Sequence, residues 1–425
     1  MTEAFLHYVW QQQLFRKDEL CTTEGDNLEV IKVGELNRDA GPDFFNAAIR
    51  INGTLWVGTV EIHMHASEWN KHKHEQDAAY DNCILHVVYE EDEVVYRKSG
   101  QAICCLVLNH RMTENVWENY LKLLGTHSWI PCSHRIHEVD QFSMLSWLDR
   151  LAIERLEQKT SLVYQSLAYN LNDWEKTFYE LLCIGFGFKI NALPFSMLSR
   201  TLPFDLLQRH RDKPLILEAL LFGCAGLLNN KKTDHYSNAL KDEFEFFMHA
   251  HYLKSIDAAC WKFLRMRPVN FPTIRISQLA SLFAKTNRLF SEVLEMPDYV
   301  SGKKIFEIEA SEYWTDHYTF GKKSPVRRKV FGLGSTENIF INVIVPVLFA
   351  YGLKNGSEIH KERALRILEE IRPEENSIIG KWKELGIKPL SALHSQALLT
   401  LKKNYCSEKK CLTCSIGTRL INKLP

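Results

Sequence analysis

Glu61, His63 and His65 recur at every second position of VEIHMH, residues 60–65. Alternate residues of a strand share a face, so one carboxylate and two imidazoles line up together. Such a face can hold a divalent cation or move a proton near neutral pH. Asp43 opens the preceding apolar run, in AGPDF, and Asn52-Gly53 separates the two runs. Asn-Gly between apolar stretches is a strong hairpin signal, which brings Asp43 toward Glu61. Two carboxylates at one point supply the oxygen ligands of Mg²⁺ or Mn²⁺, and a metal held there activates water and neutralises a scissile phosphate. Register decides whether they meet. With a strict two-residue turn Asp43 opposes Ile62, and the carboxylates fall on opposite faces. A three-residue loop, or one bulge with Gly58 as its expected site, sets Asp43 opposite His63 and returns both to one face.

His63, His65, His72, His74 and His86, joined by Asp77, fall close together in the chain. Imidazole suits Zn²⁺, Mn²⁺ or Fe²⁺, so the cluster points to a hydrolase with a His/Asp-bound metal. His72 and His74 are two apart and cannot share a helix face, so at most one of them is expected inward. The plainer reading is a half-buried strand whose histidines bond to backbone.

A second ligand set lies near the C-terminus, where NYCSEKKCLTCSIG contains Cys406, Cys411 and Cys414. This spacing suits an Fe–S cluster or Zn²⁺ but is one ligand short, and Cys132, in HSWIPCSH, is the expected fourth. Lys322, Lys323, Arg327, Arg328 and Lys329 surround Pro325 ahead of GLGST. A basic loop before a helix N-terminus can bind phosphate, and Arg265, Arg267 and Arg275 flank RPVNFP in the same way. These are the expected phosphate-binding stretches for a nucleic-acid backbone. No motif reads bases, so DNA binding is expected to be non-specific or structure-specific.

The elements that must carry these residues change character along the chain. Residues 3–16 show helical spacing, 28–33, 44–51 and 55–65 read as strands, 68–80 as a helix that Ser67 caps, and 83–89 as a buried strand. Beyond about residue 113 the pattern is mostly helical, with helices expected over 142–167, 174–185, 214–228, 277–294 and 339–353. Charge divides similarly. Residues 1–110 carry 18 Asp/Glu against 9 Lys/Arg, a net of −9, while the whole chain balances at 52 and 52, leaving +9 for the remainder. An acidic part suits cations and a basic part suits phosphates. The 425 residues, 45% hydrophobic and 24% charged, have the composition of a globular chain of more than one domain. No uninterrupted apolar run approaches the ~20 residues that cross a bilayer. Eleven cysteines behind an N-terminus that does not read as a secretory signal suggest reduced thiols; a cytoplasmic location is expected.

Pro42-Asp43 on one strand and Glu61-Ile62-His63 on the next, within an α-β-β-β-α-β order over roughly residues 1–90, resemble the PD-(D/E)XK nuclease superfamily. That resemblance implies a restriction-endonuclease-like mixed sheet flanked by helices and Mg²⁺- or Mn²⁺-dependent hydrolysis of DNA phosphodiesters. It assigns metal binding to Asp43 and Glu61, joined by an acid on the first helix, Glu3, with His65 as a further candidate ligand. His63 stands where the superfamily has lysine, and Lys71 is the candidate to replace that cation. Some members of the superfamily join an N-terminal cysteine to a C-terminal trio around an iron–sulfur cluster, a loose parallel to Cys132 and the tail. The runs GPDFFNAAIRI, GTVEIHMHASEWNKHKH and YDNCILHVVYE, with WIPC and the Cys-rich tail, also resemble an uncharacterised bacterial family, domain of unknown function 2851, over nearly the whole chain.

The expected architecture is therefore α+β: a nuclease-like α/β domain at 1–112, a mainly helical domain at 113–400 and a Cys-rich tail at 401–425. The expected function is metal-dependent phosphodiester hydrolysis on DNA, with Asp43, Glu61, His63 and Lys71 as catalytic residues. The alternative is a binding or scaffold protein that keeps the fold without catalysis.

Overall fold

The computed structural model describes residues 1–37, 39–113, 115–228 and 234–423. The chain forms two compact units, residues 1–147 with 402–425, and residues 148–401. Both strand and helix are present: a mixed sheet in the first unit and a mostly helical second unit.

In the first unit, helix α1 (Glu3–Gln11) begins at Thr2, whose hydroxyl accepts from the Phe5 N–H, and buries Phe5, Leu6, Val9 and Trp10. It is shorter than the stretch that helical spacing suggests, ending where Gln13 turns to positive φ. Strands β1 (Leu28–Lys32), β2 (Glu35–Leu36), β3 (Phe44–Ile51) and β4 (Thr54–His65) are followed by β5 (Cys83–Glu90) and β6 (Cys105–Val107). The sheet runs β1-β3-β4-β5-β6, with β2 also on β3. β1, β3 and β4 are antiparallel, whereas β5 and β6 join in parallel. The β3–β4 turn pairs Ile51 with Thr54 across Asn52 (φ 50°) and Gly53 (φ 83°). Two successive positive φ values match the twist of the strands, which is why Asn-Gly is favoured there. β4 is exposed at its start and buried from Gly58 to His63, so its polar residues Glu61 and His63 enter a covered region.

The bulge does not lie at Gly58. Ala47 pairs with Gly58, but Phe44 pairs with Val60, so the extra residue is on β3, where Asn46 takes φ 55°. Asn is among the few side chains that tolerate this region. Gly58 serves a different need: a Cβ there would come within 2.4 Å of the Asn82 carbonyl oxygen.

The segment between β4 and β5 is not one helix. α2 covers Glu68–Lys71, and two single 3₁₀ turns follow at His74–Gln76 and Ala78–Tyr80. Ser67 does not cap α2; its N–H and Oγ–H both donate to the Asp92 carboxylate. Ala66, Trp69, Tyr80, Cys83, Val88, Val95, Ile103 and Cys105 close a core beneath this crossover.

In the second unit, helices occupy Gln141–Tyr169 (its first turns belonging to the first unit), Trp174–Phe186 and Pro214–Cys224. The expected helix over 277–294 is two, Pro272–Lys285 and Leu289–Glu295. Leu333–Lys354 is continuous through a π-helical stretch at Phe340–Ile344. By length and composition it is apolar enough to cross a membrane, although Ser335, Thr336, Glu337, Asn338 and Asn342 interrupt its apolar run. Of its most apolar stretch, 67% is buried, as in a core helix.

Candidate metal centre

β4 and β5 place three polar side chains in the covered part of the sheet. Glu61 is opposite His86 in the parallel register, and His63 lies two residues along the same face. All three are buried, with 5% exposure or less. Asp43 joins them across β3: its N–H donates to Glu61 Oε2 at 3.1 Å, and its Oδ2 accepts from the Ile62 N–H at 2.9 Å. Beyond the bulge, counting on from Phe44–Val60 sets Asp43 opposite Glu61, which puts the two carboxylates on one face.

Glu61 Oε1 points away from Asp43 into a group of imidazoles. It lies 3.5 Å from His63 Nε2 and 3.3 Å from His74 Nε2, and His72 Nδ1 lies 3.3 Å from His63 Nε2. His63, His72 and His74 each offer a ligand atom within 4.8 Å of the others. Zn–N and Zn–O bonds of 2.0–2.2 Å put tetrahedral ligand atoms roughly 3.3–3.6 Å apart. The three observed spacings fall in or near that range, and the group in which every ligand atom lies within 4.8 Å of every other is the three histidines, with Glu61 beside it. Hydrogen bonding alone explains them less well, because one imidazole nitrogen carries a single proton or a single lone pair. His74 Nε2 is buried, 3.3 Å from the Glu61 carboxylate.

His72 and His74 both turn to the centre because they do not share a helix. α2 ends before His72, and Lys73 takes the left-handed conformation, φ 62° and ψ 35°. That single residue reverses the chain and aims His74 inward. Its ring stacks on Tyr80 with centroids 3.9 Å apart and meets Trp69 edge-on.

His63 Nδ1 lies 2.8 Å from His86 Nε2. If His63 donates here, its Nε2 lone pair faces Glu61, His72 and His74, the orientation a metal ligand needs. Burial, with its imidazole neighbours, drives the His63 pKa down to about 2, and burial drives His86 down to about 3. Both rings are neutral at pH 7, the form that ligates metals. Burial raises the Glu61 carboxyl above its ordinary value, against the lowering pull of His74.

His7, on α1, is the residue that strand and cluster spacing miss. Its Nε2 lies 3.2 Å from Asp43 Oδ2 and 3.9 Å from Glu3 Oε1. Burial lowers its pKa, but Asp43 and Glu3 more than offset that, and the net shift is upward. Only the packing of α1 on the sheet brings this ring to Asp43; its place in the sequence gives no signal.

The other expected residues lie outside this group. Glu3 is half-exposed beside His7. His65 is half-exposed, 4.0 Å from Glu90, and Lys71 is exposed at the end of α2. Asp77 accepts from the Ala79 N–H as the cap of a 3₁₀ turn. In the second unit, Lys322, Lys323 and Arg327 are exposed and Lys323 lies 3.9 Å from Asp316. Arg328 forms a two-pronged pair with Glu309, at 2.7 and 2.8 Å. Lys329 is buried, donating to the Thr315 carbonyl at 2.7 Å and lying over the Tyr318 ring. Arg275 is buried too, held by Gln278, Asn270 and Ser335; Arg265 and Arg267 are exposed.

No curated protein and no solved structure matches the chain. The family described as "Protein of unknown function (DUF2851)" matches residues 3–377, which is most of the sequence, and the chain belongs to that family.

Proposed function

We propose that the protein is a metal-dependent hydrolase of phosphodiesters, with Glu61, His63, His72 and His74 as the ligand set and a nucleic-acid backbone as the substrate class. The observation that carries this reading is the spacing of Glu61 Oε1, His63 Nε2, His74 Nε2 and His72 Nδ1, at 3.3–3.5 Å between neighbours. Three imidazoles and one carboxylate favour Mn²⁺, Fe²⁺ or Zn²⁺ over Mg²⁺, which prefers oxygen. Bound there, such an ion supplies an activated water and charge neutralisation for a phosphate.

The chain's own residues prepare the site. The Asp43 N–H fixes one oxygen of Glu61 and leaves the other for the ligand group. His86 fixes the ring of His63, and Trp69 and Tyr80 wall in His74. His7, whose pKa is raised against the effect of burial by Asp43 and Glu3, lies beside Asp43; protonated there, it would supply the positive charge that the PD-(D/E)XK pattern takes from a lysine. The helix–strand–hairpin–crossover–strand order supports the nuclease-like reading of this unit.

A second reading, a binding protein that keeps the fold without catalysis, is favoured by the exposure of Lys71 away from the ligand group and by the neutral His63. Incubation of the purified chain with Mn²⁺, Zn²⁺ or Mg²⁺ and single- or double-stranded DNA separates the two. Hydrolysis that requires Mn²⁺ or Zn²⁺ is expected, with at least a roughly 100-fold loss in Glu61→Ala and Asp43→Ala variants. Cleavage that survives both substitutions would place the chemistry elsewhere. Tight metal binding without cleavage would leave the binding reading.

A further inference from the structure

The four candidate cysteine ligands, Cys132, Cys406, Cys411 and Cys414, are free thiols. Among the described residues, the group whose ligand atoms all lie within 4.8 Å is the histidine trio. Away from that centre, the feature that points to a ligand is a cleft in the second unit. Its volume is about 730 Å³, within the roughly 300–1,000 Å³ of small-molecule sites. Val163, Leu181, Ile184, Phe188 and Val343 give it an apolar lining, and Lys159, Lys189, Arg200 and Glu180 are its charged groups.

Helices Gln141–Tyr169 and Trp174–Phe186 and the π-helical stretch Phe340–Ile344 form its walls. Gly185 lets two of them approach: a Cβ there would lie 2.6 Å from Val343 Cγ2 and 2.8 Å from Ile339 Cδ1. π-Helical turns inside α-helices recur at functional sites, and this one sets Asn342 and Val343 on the wall. Lys159 braces it, donating to the Ile341 carbonyl and Asn342 Oδ1 at 3.0 Å and to Gln396 Oε1 at 2.9 Å. Just past Trp174–Phe186, Phe188 takes φ 51°, a conformation that bulky side chains rarely adopt. Strain of this kind clusters at ligand clamps. Arg275 lies over the Phe188 ring, 4.6 Å from its centroid.

The cation of the cleft is also fixed in place. Glu180 is 4% exposed, and its Oε1 accepts from Arg200 Nε at 3.0 Å and Nη2 at 2.8 Å. Its Oε2 accepts from Ser166 Oγ at 2.6 Å and Asn170 Nδ2 at 2.9 Å, so this carboxylate is fully engaged. Arg200 lies over the Tyr169 ring as well, 4.7 Å from the centroid. Its Nη1 edge has no hydrogen-bond acceptor among the described residues. A planar guanidinium held on two sides loses little freedom when an acid group meets its third. Lys189, exposed in the same lining, adds a second cation.

We propose that this cleft binds a small organic anion, its carboxylate or phosphate on Arg200 and Lys189 and its apolar body on Val163, Ile184 and Phe188. The apolar lining supplies most of the affinity and the fixed cation sets the orientation.

Calorimetric titration of the full chain with 2-naphthoate, 2-naphthyl phosphate and the uncharged 2-naphthamide tests this. EDTA is present throughout, so that no acid group reaches a metal at the histidine centre. At least one acid should bind about tenfold or more tighter than the amide, and the tighter acid identifies the group the cleft takes. Leu162, 59% exposed on the cleft wall, can become charged without disturbing the core. Leu162→Glu should weaken acid binding about tenfold, while Leu264→Glu, at a position 85% exposed and outside the cleft, should leave it unchanged. Arg200→Lys keeps a charge beside Glu180 but loses the fork, and a similar loss is expected. Should that variant fail to fold, Leu162→Glu still reads the site. Equal affinity for the amide and both acids, acid binding unchanged in Leu162→Glu, or no binding of any probe at millimolar concentration would overturn the proposal.

Discussion

Asp43 and Glu61 hold each other across the β3–β4 hairpin. The Asp43 N–H donates to one oxygen of Glu61, while the Asp43 carboxylate accepts from the backbone N–H next to Glu61, at Ile62. This reciprocal bond spends one Glu61 oxygen on the scaffold and presents the other to His63 and His74. It also depends on one extra residue in β3, since every side chain past a bulge changes faces.

That dependence is testable at Asn46. Asn46→Gly keeps the positive φ and should leave metal binding within about twofold, whereas Asn46→Val disfavours it by roughly 1–2 kcal/mol. Lys73 poses the same question for His74: Lys73→Gly should be tolerated, and Lys73→Val should lose stability by a similar amount together with metal affinity. Calorimetric titration with Mn²⁺ or Zn²⁺, alongside thermal melts, measures both effects. Equal affinity in all four variants would mean that neither residue positions a ligand.

His86 is expected to act through His63. Removing its ring in a His86→Ala variant frees His63 to rotate and should weaken metal binding about 10–100-fold. The geometry leaves the other ligands unchanged, so the stoichiometry should stay the same. A competition assay against a chromophoric chelator reads the affinity, and an unchanged constant would remove His86 from the site.

The metal-free protein should lose stability in acid earlier than its carboxylates require. His63 and His86 titrate at about 2 and about 3 in the fold, against an ordinary value near 6.5 in the unfolded chain. Between those values the unfolded state binds the extra protons, so stability is intact above about pH 6.5 and falls as the pH drops. The slope is about 1.4 kcal/mol per pH unit for each such histidine. Urea unfolding of chelator-treated protein at pH 7.5 and 5.5 measures it. A His86→Leu variant should show a shallower dependence, and saturating metal should raise stability across the neutral range. A flat profile between those pH values would show that the rings are already protonated in the fold.

By itself the sequence specified the alternation that lines up Glu61 and His63, the Asn-Gly turn that pairs β3 with β4, and the change from a strand-rich to a helix-rich chain. These are local matters: side-chain period and turn chemistry are set within a few residues. It left open whether Asp43 meets Glu61, since a strict turn separates the two carboxylates and only an irregularity, expected at Gly58, brings them to one face. Tertiary structure decided the rest. The bulge fell at Asn46 and not at Gly58, whose missing side chain instead makes room for the backbone of Asn82. His72 and His74 both reach the centre because a left-handed Lys73 ends the helical geometry on which their exclusion was based. His7 meets Asp43 through packing of segments far apart in the chain. Closing such loops costs little more for long separations than for short ones, so distance in sequence neither forbids nor reveals the contact; only the packed chain does.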